Sequence, residues 1–313
     1  MEIKQLQHFS RIAEIGNLTR AASVLGLTQA ALSRQVAQLE AELGTELFRR
    51  NGRGLVLTEA GQRLLDHVPI ILRQIALAER AVRGSIGPAQ GTLVLGLPPS
   101  LARTVVVPLI DAFREQLPEV TLRTVDGLSA NLVELVGIGK LDCSVVYNQP
   151  PSDVAELRLL ADEELYLVAG PMIQSAGKAL PRSVTLAEVA ALPLVTAGTT
   201  NAVHAALATA MAALGLKPQV VHEIENLTAI LDLVRKGYGS AVIPLSGVHP
   251  CIGDPELRLH RITEPVLRCS LSVATPARAL HDMLIGQGTS LVREVVRQQL
   301  VQFHTDVERA IDA

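Results

Sequence analysis

Apolar residues recur at helical spacing from the start of the chain. Leu6, Phe9, Ile12 and Ala13 share one face, and Gly16-Asn17 signals a turn after them. A second apolar stripe, Ala21, Ala22 and Leu25, lies within residues 18–25 and is broken by Gly26. Thr28 is then placed to N-cap a helix from Gln29 to about Leu43, which Gly44 ends. Leu32, Val36, Leu39 and Leu43 form its buried stripe, while Gln29, Ser33, Arg34 and Gln38 fall on other faces. Leu47-Phe48 should anchor in the core. The run Arg49, Arg50, Asn51, Gly52, Arg53 and Gly54 reads as a basic turn, and Leu55-Val56-Leu57 leads away from it. Together these predict a two-stranded wing with a basic tip.

Residues 59–86 carry one long helical pattern. Val68, Ile75 and Val82 are seven apart, with Leu64, Ile71 and Ala78 between them, an a/d-like seam suited to a coiled-coil dimer. The alternative is a helix packed on its own domain, and Pro69 inside the pattern should kink it. Gly84 to Pro88 reads as a linker. Beyond it the texture changes to short apolar strands alternating with helices. Strands are predicted at 92–97, 120–125, 141–147, 164–169, 192–196, 220–224, 239–244 and 267–275. Helices follow Ser100 and Ser129 and cover 201–214 and 226–236, and a final one covers 281–302. That alternation predicts βαβ units and a mostly parallel sheet. The domain plan is therefore 1–58 for a helical winged unit and 59–87 for a linker helix. Residues 91–162 with 267–302 form one α/β lobe, and 163–266 form a second.

Composition narrows the function. The chain has 313 residues, 48% hydrophobic, with a net charge of -3, so nucleic-acid binding must rest on a local patch. Aromatics are only 2%, which argues against single-strand binding by base stacking. Cys143, Cys251 and Cys269 are too scattered for a disulfide framework and fit a reducing, cytoplasmic setting. No signal-peptide pattern opens the chain and no 18-residue uncharged apolar run occurs, so neither export nor a membrane partner is expected.

A short helix, a glycine turn and a second capped helix form the helix-turn-helix layout, here Leu18 to Ala37. The second helix of that motif enters the major groove of double-stranded DNA with its N-terminal residues at base edges. Those residues are Thr28, Gln29, Ser33 and Arg34. Gln pairs bidentately with adenine and Arg with guanine, and Ala30 permits close approach to a thymine methyl. Arg49, Arg50 and Arg53 are placed to hold phosphates. Residues 1–58 carry seven Lys/Arg against five Glu, a weak sum, so clustering of the wing arginines matters more. In the α/β region, ligands bind at the C-terminal ends of strands, beside helix N-termini that favour anions. Ser100, Ser129 and Tyr147 from the first lobe and Thr196, Gly198 and Asn201 from the second are the candidates. Ser100 and Ser129 serving only as N-caps, and 196–201 serving only as a turn, are the plainer alternatives.

The stretch from Phe9 to Leu65 resembles the N-terminal signature of LysR-type transcriptional regulators. It carries Ala21-Ala22, the run Leu32 to Val36, Leu39 to Gly44, Leu47 to Arg50, and Leu57 to Gly61. Ala30 departs from the Pro or Ser frequent there, which puts local base preference in doubt. Residues 91–148 and 223–244 resemble the family's effector-binding region, so the likeness covers about 1–300. VVYN, ELYLVAG and EIENLTAIL are similar to its nitrogen-assimilation-control branch. The resemblance implies a two-lobed effector domain like periplasmic binding proteins. It also implies a small, anionic molecule bound between the lobes near Ser100 and Ser129, a homotetramer of two dimers, and RNA polymerase as a further partner.

Two other functions compete. Catalysis lacks tools: His204, His222, His249, His260 and His281 show no metal-ligand spacing, and no P-loop or G-x-S-x-G elbow is present, so no metal or cofactor is expected. A transport-type solute-binding protein fits the α/β region but not the N-terminal module.

Overall fold

The computed structural model describes residues 1–51, 54–83, 89–175, 178–277 and 282–312. Arg53 at the wing tip, the side chain of Arg50 and the linker 84–88 lie outside the described residues. The chain divides into two compact units, Met1–Gly84 and Ser85–Ala313.

The first unit runs α1 (Ile3–Ile15), α2 (Leu18–Leu25), α3 (Gln29–Leu43), β1 (Phe48–Asn51), β2 (Gly54–Leu57) and α4 (Glu59–Arg83). Its helix ends are written locally. Gly16, Gly26 and Gly44 each close a helix in the left-handed conformation that costs glycine least. Asn17 Oδ1 accepts the Arg20 amide at 3.0 Å, and Thr28 Oγ1 accepts that of Ala31 at 3.2 Å. The wing is tied down from both sides. Glu40 Oε1 on α3 accepts the amides of Leu47 and Phe48 at 2.7 and 3.2 Å, and Leu55 N–H donates to the Gly16 carbonyl at 2.9 Å. Leu6, Phe9, Ile12, Ala21, Leu32, Leu39, Leu47 and Val68 fill the core.

Two expectations shift here. Val36 is only half-buried and Leu43 is 41% exposed, because the apolar face of α3 continues into a last turn that the core does not cover. On α4, Val68 is buried and Leu64, Leu65, Ile71 and Leu72 pack on this unit's core, whereas Ile75 is half-buried and Ala78 exposed. The first half of the helix is thus a domain helix, and a seam remains open only beyond it; Val82's side chain lies outside the described residues. The helix runs through Pro69.

The second unit contains β3 (Gly91–Leu97), α5 (Pro99–Gln116), β4 (Val120–Asp126), α6 (Ser129–Gly137), β5 (Cys143–Tyr147) and β6 (Ala155–Ala169). Next come β7 (Gln174–Ser175), β8 (Lys178–Ala179), β9 (Ser183–Thr185), α7 (Leu186–Ala190), β10 (Pro193–Thr196), α8 (Ala202–Ala213), β11 (Gln219–Glu223), α9 (Leu227–Arg235) and β12 (Ser240–Pro244). After α10 (Leu245–Val248) and a 3-10 turn at His249–Cys251, β13 (Arg258–Thr263), β14 (Arg268–Pro276) and α11 (Met283–Asp312) complete it.

The sheet order β11-β10-β12-β6-β14-β5-β3-β4 is mixed, not mostly parallel. β3 pairs in parallel with β4 and β5, and β10 with β11 and β12. β6 and β14 run antiparallel to their partners. They carry the chain out to the second lobe and back, so one of each pair must oppose its neighbours. β6 is also far longer than the strand expected from 164. Ala155 to Glu164 pair with β14, and Leu165 to Ala169 pair with β12, so one strand serves both lobes.

The last helix departs furthest from expectation. It ends at Asp312, and it braces both lobes. Gly288 lets Leu93 of β3 come so close that a Cβ there would lie 2.8 Å from Leu93 Cδ2. Arg297 donates to the Leu160 carbonyl of β6 at 3.0 Å. Farther along, Glu308 accepts from Arg261 at 2.8 Å and from Tyr166 at 3.1 Å, while Phe303 packs on His249. A regular amphipathic pattern announces a helix; it does not say which two surfaces the helix spans.

Candidate functional site

The N-terminal turn of α3 is presented outward. Thr28, Gln29, Ala30, Ser33 and Arg34 are all exposed, with Leu32 and Leu39 facing the core from the opposite side. Thr28 spends an oxygen lone pair on the cap, which leaves its hydroxyl proton free to donate. Arg34 makes no ion pair among the described residues, and Arg49 on β1 is exposed. This is an exposed surface with amide, hydroxyl and guanidinium donors on the first turns of one helix. The wing carries Arg49 on an antiparallel pair, Phe48 to Asn51 against Gly54 to Leu57.

In the second unit a cavity with about 90 Å³ of free space lies between the two lobes. That is room for several waters or one compact ligand. Ser100, Ser129, Tyr147, Thr196 and Asn201 all line it; Gly198 does not. Gly198 instead leaves room for a carboxylate, since a Cβ there would lie 3.2 Å from Glu223 Oε1.

The local roles differ from simple N-caps. Pro98 and Leu128 occupy the cap positions of α5 and α6 without a side-chain bond, so both helices begin at the cavity uncapped. Ser129 Oγ accepts the Tyr147 amide at 3.0 Å, fastening α6 to the end of β5. Ser100 Oγ lies 3.4 Å from the Tyr147 hydroxyl. Asn201 does cap α8, accepting the amides of Val203 and His204 at 2.9 and 3.4 Å. Thr196 is 7% exposed, yet its Oγ1 has no partner, and the same holds for the buried Nδ1 of His204. Both residues line the cavity. Buried polar atoms are ordinarily satisfied, so two orphans facing one cavity mark where a ligand atom would sit.

Glu163 was invisible to sequence reasoning. It is buried on β6 and accepts the Tyr147 hydroxyl at 2.7 Å and the Ser246 amide of α10. Burial pushes its carboxyl pKa up, against the opposing pull of those two hydrogen bonds. Burial first, then the Glu163 charge, raises the Tyr147 phenol well above its usual range. One carboxylate thus joins a first-lobe tyrosine to a second-lobe helix. The sequence offers a single clue, a glutamate pair entering an apolar run at 163–164, and a strand begun at 164 passes over it. Among the described residues no lysine or arginine lines the cavity; its titratable lining groups are Tyr147, His204 and Glu225.

Known proteins share this construction. Residues 3–62 match the model of the bacterial regulatory helix-turn-helix protein, lysR family, and residues 87–297 match the LysR substrate binding domain. The nitrogen assimilation regulatory protein nac of Klebsiella aerogenes is 33% identical over 279 residues, covering 89% of this chain and 90% of that protein. Its counterpart in Escherichia coli (strain K12) is 32% identical over 96% of this chain and 100% of its own length. Among solved structures, full-length CbnR in complex with its target DNA has a TM-score of 0.72 at 24% identity, covering 94% of this chain and 100% of that one. No described helix is long and apolar enough to cross a membrane. A helix-turn-helix with a wing, followed by a two-lobed ligand-binding region and matched over most of its length by such regulators, places this chain in the LysR family of transcriptional regulators, as a DNA-binding and effector-binding protein and not an enzyme.

Proposed function

We propose that this regulator reads its operator through Thr28, Gln29, Ala30, Ser33 and Arg34, and holds phosphates with Arg49, Arg50 and Arg53. The exposed, unpaired N-terminal face of α3 carries this reading. Residues 1–58 form the DNA module and 59–87 the linker helix. Residues 91–162 with 267–302 form one effector lobe and 163–266 the other; Ser100, Ser129, Tyr147, Thr196 and Asn201 receive the effector, with Gly198 in the outer turn. The uncapped starts of α5 and α6 favour an anionic group on it. With no lysine or arginine among the described lining residues, a compact monoanion suits the cavity better than a dianion.

Binding between the lobes shifts their closed and open populations, and with them the DNA contacts. The protein works as a homo-oligomer, a dimer of dimers. The half of α4 beyond Ile71 offers one seam. The sheet edge β11, exposed along its length with Val220 and Val221 each 40% exposed, offers a second. RNA polymerase is its further partner at the promoter. Three buried free cysteines suit the cytoplasm.

Footprinting on the chain's own promoter region, with and without small monocarboxylates, tests the scheme. A protected site whose extent changes with one such compound supports it. Protection that is unchanged by every compound calorimetry shows to bind would refute the effector half. Absence of any protected site would refute the operator half.

A further inference from the structure

A second pocket, sharing no residue with the interlobe cavity, opens on the second lobe between β13, the segment after the 3-10 turn and the end of α11. Its free space is about 350 Å³, within the range of small-molecule sites. Its wall is apolar from Ile252, Leu257 and Ile311, and its polar groups are Arg182, Arg258 and His260. None of its lining residues is acidic. Arg182 and Arg258 are exposed and make no ion pair among the described residues. His260 is 3% exposed, and its Nε2 has no partner. The other ring nitrogen, Nδ1, donates to the Pro181 carbonyl at 2.6 Å. The tautomer is therefore fixed: Nε2 is left bare and buried in a wall of the pocket.

We propose that this pocket is a second binding site, for an organic carboxylate with a short apolar body, held by Arg182, Arg258 and His260. Two guanidinium groups supply the counter-charge, and the leucine and isoleucine wall covers the body. Nε2 gains the hydrogen-bond partner it lacks by sharing a proton with a carboxylate oxygen. The neutral imidazole has no such proton to offer, so the complex holds one proton more than its separated partners at neutral pH. That proton comes from solvent and bridges Nε2 and the carboxylate. Burial, and then the charge of Arg258, hold the imidazole pKa below its ordinary value in the free protein, whereas the Pro181 carbonyl opposes them. The titratable groups that line the pocket with the ring are Arg258 on its own strand, Arg182 before β9 and Cys251 on the 3-10 turn, and the lining residues from α11 are Ala310 and Ile311.

Calorimetry on the full-length protein with hexanoate as probe tests this in two buffers of different ionisation enthalpy. We expect saturable binding with uptake of about one proton, and tighter binding as pH falls. Arg182→Gln with Arg258→Gln should weaken hexanoate at least about tenfold, a loss of about 1.4 kcal/mol. Both positions are exposed, so folding is not at stake, and thermal melting checks it. Ser100→Ala with Thr196→Val should leave this binding unchanged. Failure of hexanoate to bind, or binding lost in the interlobe pair and kept in the arginine pair, overturns the proposal. So does equal binding of hexan-1-ol, which removes the role of charge, or of inorganic phosphate, which removes that of the apolar body.

Discussion

Arg34 and Arg53 carry the same charge and should fail in different ways. Arg34 is exposed on the first turns of α3, the face proposed to meet base edges. Replacing it by alanine should weaken operator binding by about 1–3 kcal/mol and relax preference at one base pair. Arg53→Ala should weaken all sequences alike and lower the salt slope by about one. Titrations on operator and scrambled DNA at several salt concentrations separate the two; equal losses on both sequences for Arg34→Ala would show that it reads no base. Glu163 gives a prediction of another kind. Its folded-state pKa is raised, so the folded chain keeps the proton to higher pH than the unfolded chain does. The stability this brings is full below the unfolded pKa and is lost as pH rises through the folded value. Glu163→Gln stays neutral throughout and should lack this loss, so its stability relative to the native chain should improve as pH is raised. Urea unfolding across a pH series measures it, and a constant gap between the two proteins would mean the carboxyl is not held protonated.

The elements show how closely the chain was built around particular contacts. Gly61, in the first turn of α4, sits against the wing: a Cβ there would be 2.1 Å from the Leu47 carbonyl oxygen. That backbone cannot retreat without lifting β1 from α3, where Glu40 holds it. Gly61→Ala should therefore cost more than about 1–3 kcal/mol of stability in the N-terminal unit, the usual range for overpacking, because the clash is with backbone. Circular dichroism melting of the full chain reads that loss. Helix α11 makes the opposite case, a helix whose second half could be removed. Truncation after Gln302 deletes Phe303, Glu308 and Asp312, and with them the ties to His249, Arg261 and Tyr166. We expect faster amide exchange in β13 and around α10, with β3 and β4 unchanged. Uniform protection across both lobes would show that the brace contributes nothing local.

At the scale of the molecule, much was legible before any coordinates. Helix caps, glycine stops and the basic wing are local signals, set by hydrogen bonds within a few residues, so Asn17, Thr28, Gly26 and Gly44 announce their own roles. The exposed face of α3 followed from a 3.6-residue period that buries Leu32 and Leu39 and leaves Arg34 outside. The strand order was not legible in this way. An alternation of strands and helices suggests parallel pairing, but β6 and β14 are shared between lobes and run against it, a fact held by pairings such as Ser272 with Leu159, over a hundred residues apart. The cavity between the lobes was half legible. Strand ends and helix starts point to Ser100, Ser129 and Thr196, because that rule depends only on topology. Glu163 and His204 escaped, since a buried carboxylate and an orphaned imidazole acquire meaning from what the rest of the chain places around them. By itself the sequence determined the N-terminal helices, their caps and the exposed face of α3, where the physics is short-range. Only the tertiary structure decided which polar groups lose their water without gaining a partner, because burial is a property of the assembled core and of no single segment.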